Sequence, residues 1–127
     1  MSSKKKILVA DDDSGILEVI SLMLEDAGYD VETTVNGETE VMVEKYLPDL
    51  ILLDIWMSGM DGRKICKSLK GQKLTKHIPI IMISANKDTE NIAKESGAND
   101  FIAKPFEMQD LLNKVDKHLN HHEKQIM

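Results

Sequence analysis

The residues able to do chemistry in this chain stand where short apolar runs stop. Ile7-Leu8-Val9-Ala10 ends at Asp11-Asp12-Asp13, Leu50-Ile51-Leu52-Leu53 ends at Asp54, Ile80-Ile81-Met82-Ile83 ends at Ser84, and Phe101-Ile102-Ala103 ends at Lys104-Pro105. If each run is a parallel strand, these residues share the carboxyl edge of one sheet, where open α/β folds bind ligands. Asp11, Asp12 and Asp54 brought together there repel one another and demand counter-charge. A hard divalent cation answers that demand. Oxygen ligands from one or two carboxylates plus carbonyl and water describe a magnesium site with open positions, in which Mn2+ can substitute. Lys104 adds a second positive charge and Ser84 a neutral donor. Together these are what the equatorial oxygens of a phosphoryl group need during in-line transfer. Asp54 is then the natural nucleophile, because carboxylates form acyl phosphates.

The elements that must position these groups follow from pattern and punctuation. Leu50 to Leu53 is an unbroken aliphatic run introduced by Pro48 and reads as a central strand buried on both faces, as does Pro79 to Ser84. Ile7 to Ala10 is a first strand, Asp30 to Thr34 a second near an edge, and Asp100 to Ala103 a fifth. Between them lie five helices. The first, Ile16 to Ala27, is capped by Ser14 and stopped by Gly28; the second, Glu38 to Tyr46, follows an Asn36-Gly37 turn and turns Val41, Met42 and Tyr46 inward. The third opens at Asp61-Gly62, with Asp61 as its cap, and closes near Gly71. The fourth runs through residues 87–96 with little more than Ile92 and Ala93 to bury, which predicts the least firmly docked helix. The fifth spans Glu107 to Leu119, and the tail 120–127 is expected to fray. Strands and helices alternate, so the expected fold is α/β, a five-stranded parallel sheet, doubly wound, with helices on both faces.

Length and composition agree with one domain over residues 1–127, its core at about 5–119. The 42% hydrophobic and 30% charged residues are ordinary for a globular chain, and no apolar run approaches the roughly 20 residues of a membrane span. The run after Lys4-Lys5-Lys6 meets three aspartates too soon for a signal peptide, so a cytoplasmic location is expected. Cys66 is the single cysteine, which excludes an internal disulfide and suits a buried thiol. A net charge of −6 favours a protein partner or a cation over nucleic acid.

With these residues in place, the chain resembles the response-regulator receiver domains of two-component phosphorelays from about Lys5 to Leu119. The matching pieces are Ile7 to Asp12, Pro48 to Asp54 with Met60-Asp61-Gly62, Pro79 to Ala85, Gly97-Ala98 and Lys104-Pro105-Phe106. The resemblance implies a flavodoxin-like strand order of 2-1-3-4-5. It implies that Asp54 takes a phosphoryl group from a phosphohistidine on a sensor histidine kinase or a phosphotransfer protein. It further implies that Asp12, Asp54 and the Trp56 backbone carbonyl bind magnesium, with Asp11 helping through water. Ser84 and Lys104 would contact the phosphoryl oxygens, and Phe101 would reorient as Ser84 moves. Ser58 stands where the family usually has proline, and Trp56 and Asn86 occupy positions that tune water access to the acyl phosphate.

The reading is a stand-alone switch that signals through a protein target on the face from helix 87–96 to helix 107–119, with the kinase at the first helix and the loops around Asp54. Three rivals are weighed against it. A magnesium-dependent aspartyl phosphatase usually carries a second aspartate two residues past its nucleophile, where this chain has Trp56. A flavin carrier needs a Ser, Thr and Gly-rich phosphate loop, and the first loop here is acidic. An unphosphorylated interaction module would not need the full set of reacting groups. His118, His121 and His122 have helical spacing that would suit a transition metal, but a solvated, frayed terminus is the expectation taken.

Overall fold

The computed structural model describes residues 4–35, 38–57 and 60–126, with side chains as far as Leu119. The expected Asn36-Gly37 turn and the Ser58 position lie outside the described residues. In chain order the elements are β1 (Lys6–Ala10), α1 (Ser14–Asp26), β2 (Asp30–Thr34), α2 (Thr39–Tyr46), β3 (Leu50–Asp54), β4 (Trp56–Met57), β5 (Met60–Asp61), α3 (Gly62–Lys70), β6 (Ile80–Ser84), α4 (Thr89–Ser96), β7 (Asp100–Ala103) and α5 (Met108–Ile126).

β2-β1-β3-β6-β7 form one parallel sheet in that order, the flavodoxin-like arrangement. Leu50, Ile51, Leu52 and Leu53 are all fully buried, because alternate members serve opposite faces. Leu50 and Leu52 join Leu17, Ile20 and Leu24 of α1 and Leu111 and Val115 of α5. Ile51 and Leu53 join Val43 of α2, Ile65, Cys66 and Leu69 of α3, and Ile92 and Ala93 of α4. Cys66 is therefore a core thiol, and burial pushes its pKa up to about 11. The polar link 71–79 is tied down by Lys70, whose ammonium donates to the carbonyls of Lys76 (3.3 Å) and Ile78 (2.7 Å).

Four local features differ from the sequence reading. Asp13, not Ser14, caps α1, its carboxylate accepting from the N–H groups of Gly15 (2.9 Å) and Ile16 (3.2 Å); Asp13 holds the extended backbone a cap needs, and Ser14 is already helical. In α2 the buried aliphatic is Val43, while Val41 is exposed. The helix has only eight residues, and Leu47, left-handed at φ 48°, closes it before Pro48. Trp56–Met57 and Met60–Asp61 pair as a two-stranded antiparallel ribbon that the sequence reading does not anticipate, with Trp56 opposite Asp61 and Met57 opposite Met60. Finally, α5 continues to Ile126 where a frayed tail from Asn120 is expected, and no glycine or proline interrupts it. His118 in that helix is half-buried and tied down: its Nε2 lies 2.9 Å from Asp100, which also accepts from Lys114 at 2.9 Å. Burial pulls the Asp100 carboxyl up, but these partners outweigh it and hold its pKa down at about 2.

The α2 assignment is open to a simple check. Val43→Ala should destabilise the protein by about 2 kcal/mol in urea unfolding, the transfer and cavity cost of a fully buried aliphatic. Val41→Ala should stay within about 0.5 kcal/mol.

Candidate functional site

Every strand of the sheet delivers its carboxyl end to the same edge, and parallel register aligns those ends. Asp54 closes β3 beside Ile83 of β6, and Ser84 closes β6 beside Ala103 of β7. Asp11 follows β1, anchored by its N–H donating to the Thr34 carbonyl of β2 at 3.3 Å. Lys104 follows β7, its N–H donating to the Ser84 carbonyl at 2.8 Å.

This convergence produces an acidic group. Asp11, Asp12 and Asp54 each offer a carboxylate oxygen, and these oxygens lie within 4.8 Å of one another. Asp11 is 1% and Asp54 5% exposed, whereas Asp12 faces solvent. Lys104 Nζ bridges the two buried carboxylates, 3.1 Å from Asp11 Oδ2 and 3.7 Å from Asp54 Oδ2. The two buried carboxylates thus share the Lys104 ammonium. Burial and then the Asp11 charge raise the Asp54 pKa to about 6, against the opposing pull of Lys104 and the Trp56 N–H. Burial and a like charge, opposed by Lys104, make this a place where added positive charge is favourable. The oxygen-only donor set, with an exposed member at its rim, suits a hard divalent cation.

The remaining side chains are fixed by local turns. Asp11 Oδ1 accepts from the Asp13 N–H at 2.9 Å, and Asp54 Oδ1 accepts from the Trp56 N–H at 3.3 Å. Ser84 is buried, and its hydroxyl accepts from the Asn86 N–H at 3.0 Å. Phe101 is half-buried on β7, packed against the core layer that contains α4, with Lys114 Nζ 5.3 Å from its ring centre. Asp61 caps α3 as expected, accepting from the Arg63 N–H at 2.9 Å.

Two contributors escape the sequence reading. Gly62 packs so closely under β3 that a Cβ there would lie 2.4 Å from the Asp54 carbonyl oxygen. Arg63 stacks on Trp56, its guanidinium carbon 4.5 Å from the ring centre. The Asp61-Gly62 pair does signal a turn or cap, but nothing in its spacing announces contact with the strand behind. Beside the site, Ile16 and Val19 of α1 and Lys104, Pro105 and Phe106 after β7 line a mainly apolar groove of about 610 Å³. Among the described residues, no helix is long and apolar enough to cross a membrane.

Comparison with known proteins agrees with this geometry. The family model for the response regulator receiver domain matches residues 7–116. The DNA-binding dual master transcriptional regulator RpaA of Synechocystis is 35% identical over 113 residues, 87% of this chain and 47% of RpaA. The chain spans about half the length of the curated relatives it matches first. Among solved structures, the chemotaxis response regulator CheY4 of Vibrio cholerae superposes with a TM-score of 0.85 at 32% identity, covering 92% of this chain and all of that one. A CheY-like receiver domain protein from Methanospirillum hungatei gives 0.86 at 33% identity, covering 97% and 99%. A family model spanning most of the sheet and all of the strand-end residues, together with neighbours of the same topology, establishes that the chain belongs to the response regulator receiver domain family of two-component signalling.

Proposed function

We propose that Asp54 accepts a phosphoryl group from a phosphohistidine on a sensor histidine kinase or phosphotransfer protein, and that the phosphorylated domain signals through protein–protein contacts. The observation that carries this reading is a buried carboxylate at the end of the central strand that faces an ammonium at 3.7 Å and two further carboxylates at metal-ligating spacing.

Asp54 attacks in its ionised form. A new O–P bond forms as the P–N bond breaks, and that bond's electron pair leaves with the imidazole nitrogen. Lys104 balances the charge of Asp11 and Asp54 before transfer and that of the phosphoryl oxygens after it. Asp12, Asp54 and the Trp56 backbone carbonyl, with Asp11 through water, would hold a magnesium or manganese ion, which supplies further neutralising charge for the phosphoryl oxygens. Ser84 gives its hydroxyl to those oxygens. Because that hydroxyl now accepts from Asn86, re-aiming it pulls on the segment leading into α4. Phe101, on the strand beside Ser84, is the aromatic that reorients. The resulting change is read on the face from α4 to α5, and the kinase docks at the groove between α1 and the segment after β7. The chain's charge of −6 supports protein rather than nucleic acid as its partner, and the reading places the domain in the cytoplasm.

Incubation with acetyl phosphate and magnesium should add the mass of one phosphoryl group, and peptide mapping should locate it on Asp54. Excess chelator should stop the reaction. Labelling at another residue, or labelling that persists in chelator, overturns the assignment.

A further inference from the structure

The Trp56 indole is 46% exposed, so core packing does not fix it, and yet its backbone N–H is the donor to Asp54 Oδ1. What holds it is a closed ring of contacts outside the acidic group. Trp56 pairs with Asp61 across the β4–β5 ribbon. The Asp61 carboxylate grips the Arg63 guanidinium with two prongs, Nε at 3.0 Å and Nη2 at 2.7 Å, while also accepting from the Arg63 N–H. A two-pronged carboxylate leaves the planar guanidinium little freedom to turn. Its guanidinium carbon lies over the indole, 4.5 Å from the ring centre, which completes the circuit back to Trp56.

We propose that Arg63 is a positioning residue for Asp54: gripped by Asp61 and stacked on Trp56, it fixes the residue whose N–H donates to the acceptor carboxylate, and so sets how fast Asp54 is phosphorylated. This rests on the phosphoacceptor reading above. It assigns the ribbon a role in reactivity, with Asp61 serving both as helix cap and as the anchor of the clasp.

Trp56 is the single tryptophan of the chain, so its emission reports the clasp directly. The experiment measures labelling by acetyl phosphate at saturating magnesium alongside indole emission, for wild type, Arg63→Ala and Arg63→Lys, and repeats Arg63→Ala in a Trp56→Ala background. Arg63→Ala should slow labelling roughly three- to tenfold, less than the full worth of a hydrogen bond to a charged group because the bond is weakened and not removed, and should shift the emission. Arg63→Lys, which keeps the cation but loses the fork, should fall between. In the Trp56→Ala background Arg63→Ala should slow nothing further. A wild-type rate in Arg63→Ala, slowing without any change in emission, or equal slowing in both backgrounds overturns the inference alone. A wild-type protein that takes no label overturns the phosphoacceptor reading and the inference with it.

Discussion

Asp54→Asn is expected to end phosphoryl acceptance and also to make the metal-free protein harder to unfold above pH 7. The first effect follows from replacing the attacking carboxylate by an amide. The second follows from the environment that makes it reactive. Asp54 is buried, close to the Asp11 carboxylate, and its pKa is raised from 3.8 to about 6. A carboxyl whose folded pKa exceeds its unfolded value binds its proton more tightly in the native state, so stability falls as pH rises between those two values. The favourable contribution is complete below about pH 3.8 and gone above about pH 6. At pH 8 wild type therefore carries the cost of an ionised Asp54, on the order of 1 to 3 kcal/mol after allowing for its coupling to Asp11 and Lys104. Asparagine removes the charge and with it the cost. Urea unfolding in chelator from pH 4 to 8 should show the wild-type midpoint drop relative to the variant as pH rises from about 4 to 6, with no further divergence above that. Magnesium should then restore wild type and leave the variant little changed, because binding to the native state alone adds stability. A variant less stable than wild type at pH 8 in chelator would show that Asp54 is not held short of counter-charge.

Much of this site is legible before any coordinates, and the reason is geometric. An aliphatic run such as Leu50 to Leu53 has no polar face, so it fits only a strand covered on both sides, and its neighbours in a parallel sheet must end at the same edge. That argument brings Asp11, Asp12, Asp54, Ser84 and Lys104 together without knowledge of any distance. It fails where the signal is local and symmetric. Val41, Met42 and Val43 are consecutive, so a helix of eight residues offers several faces to the sheet, and tertiary contact alone selects Val43. Asp13 and Ser14 are both competent caps, and the backbone turn after Asp12 decides between them. The ribbon at 56–61 has strands of two residues, too short for any period to show. The Arg63 stack depends on that ribbon, so it is hidden for the same cause. His118 stands near the end of the last helix among polar residues, and its tie to Asp100, 18 positions earlier, depends on tertiary packing that no local pattern shows.

Gly62 shows the other limit, a residue whose function is the absence of a side chain. A methyl group built there runs into the backbone at the end of β3: 2.4 Å from the Asp54 carbonyl oxygen, 2.8 Å from Ile55 Cα and 2.9 Å from the Ile55 carbonyl oxygen. None of these can swing aside as a flexible side chain would. The Gly62 N–H also donates to the Ile55 carbonyl at 2.7 Å, so the start of α3 is strapped to the chain just beyond the acceptor. Making room means parting that hydrogen bond and moving the backbone that carries Asp54. Gly62→Ala is therefore expected to cost about 2 to 4 kcal/mol, above the usual range for a single added methyl because the obstruction is main chain. Gly71→Ala is the matched control: it sits at the far end of the same helix with φ −88°, and its nearest neighbour would be 3.4 Å away, so its stability should change by no more than about 0.5 kcal/mol. Urea midpoints of the two variants separate the effects. The acetyl phosphate reaction, run where Gly62→Ala is still folded, should also be slower than in the control, because the methyl displaces the strand end that aims the carboxylate. A Gly62→Ala protein as stable and as reactive as Gly71→Ala would mean that the close approach of α3 to the end of β3 has no part in holding Asp54 in place.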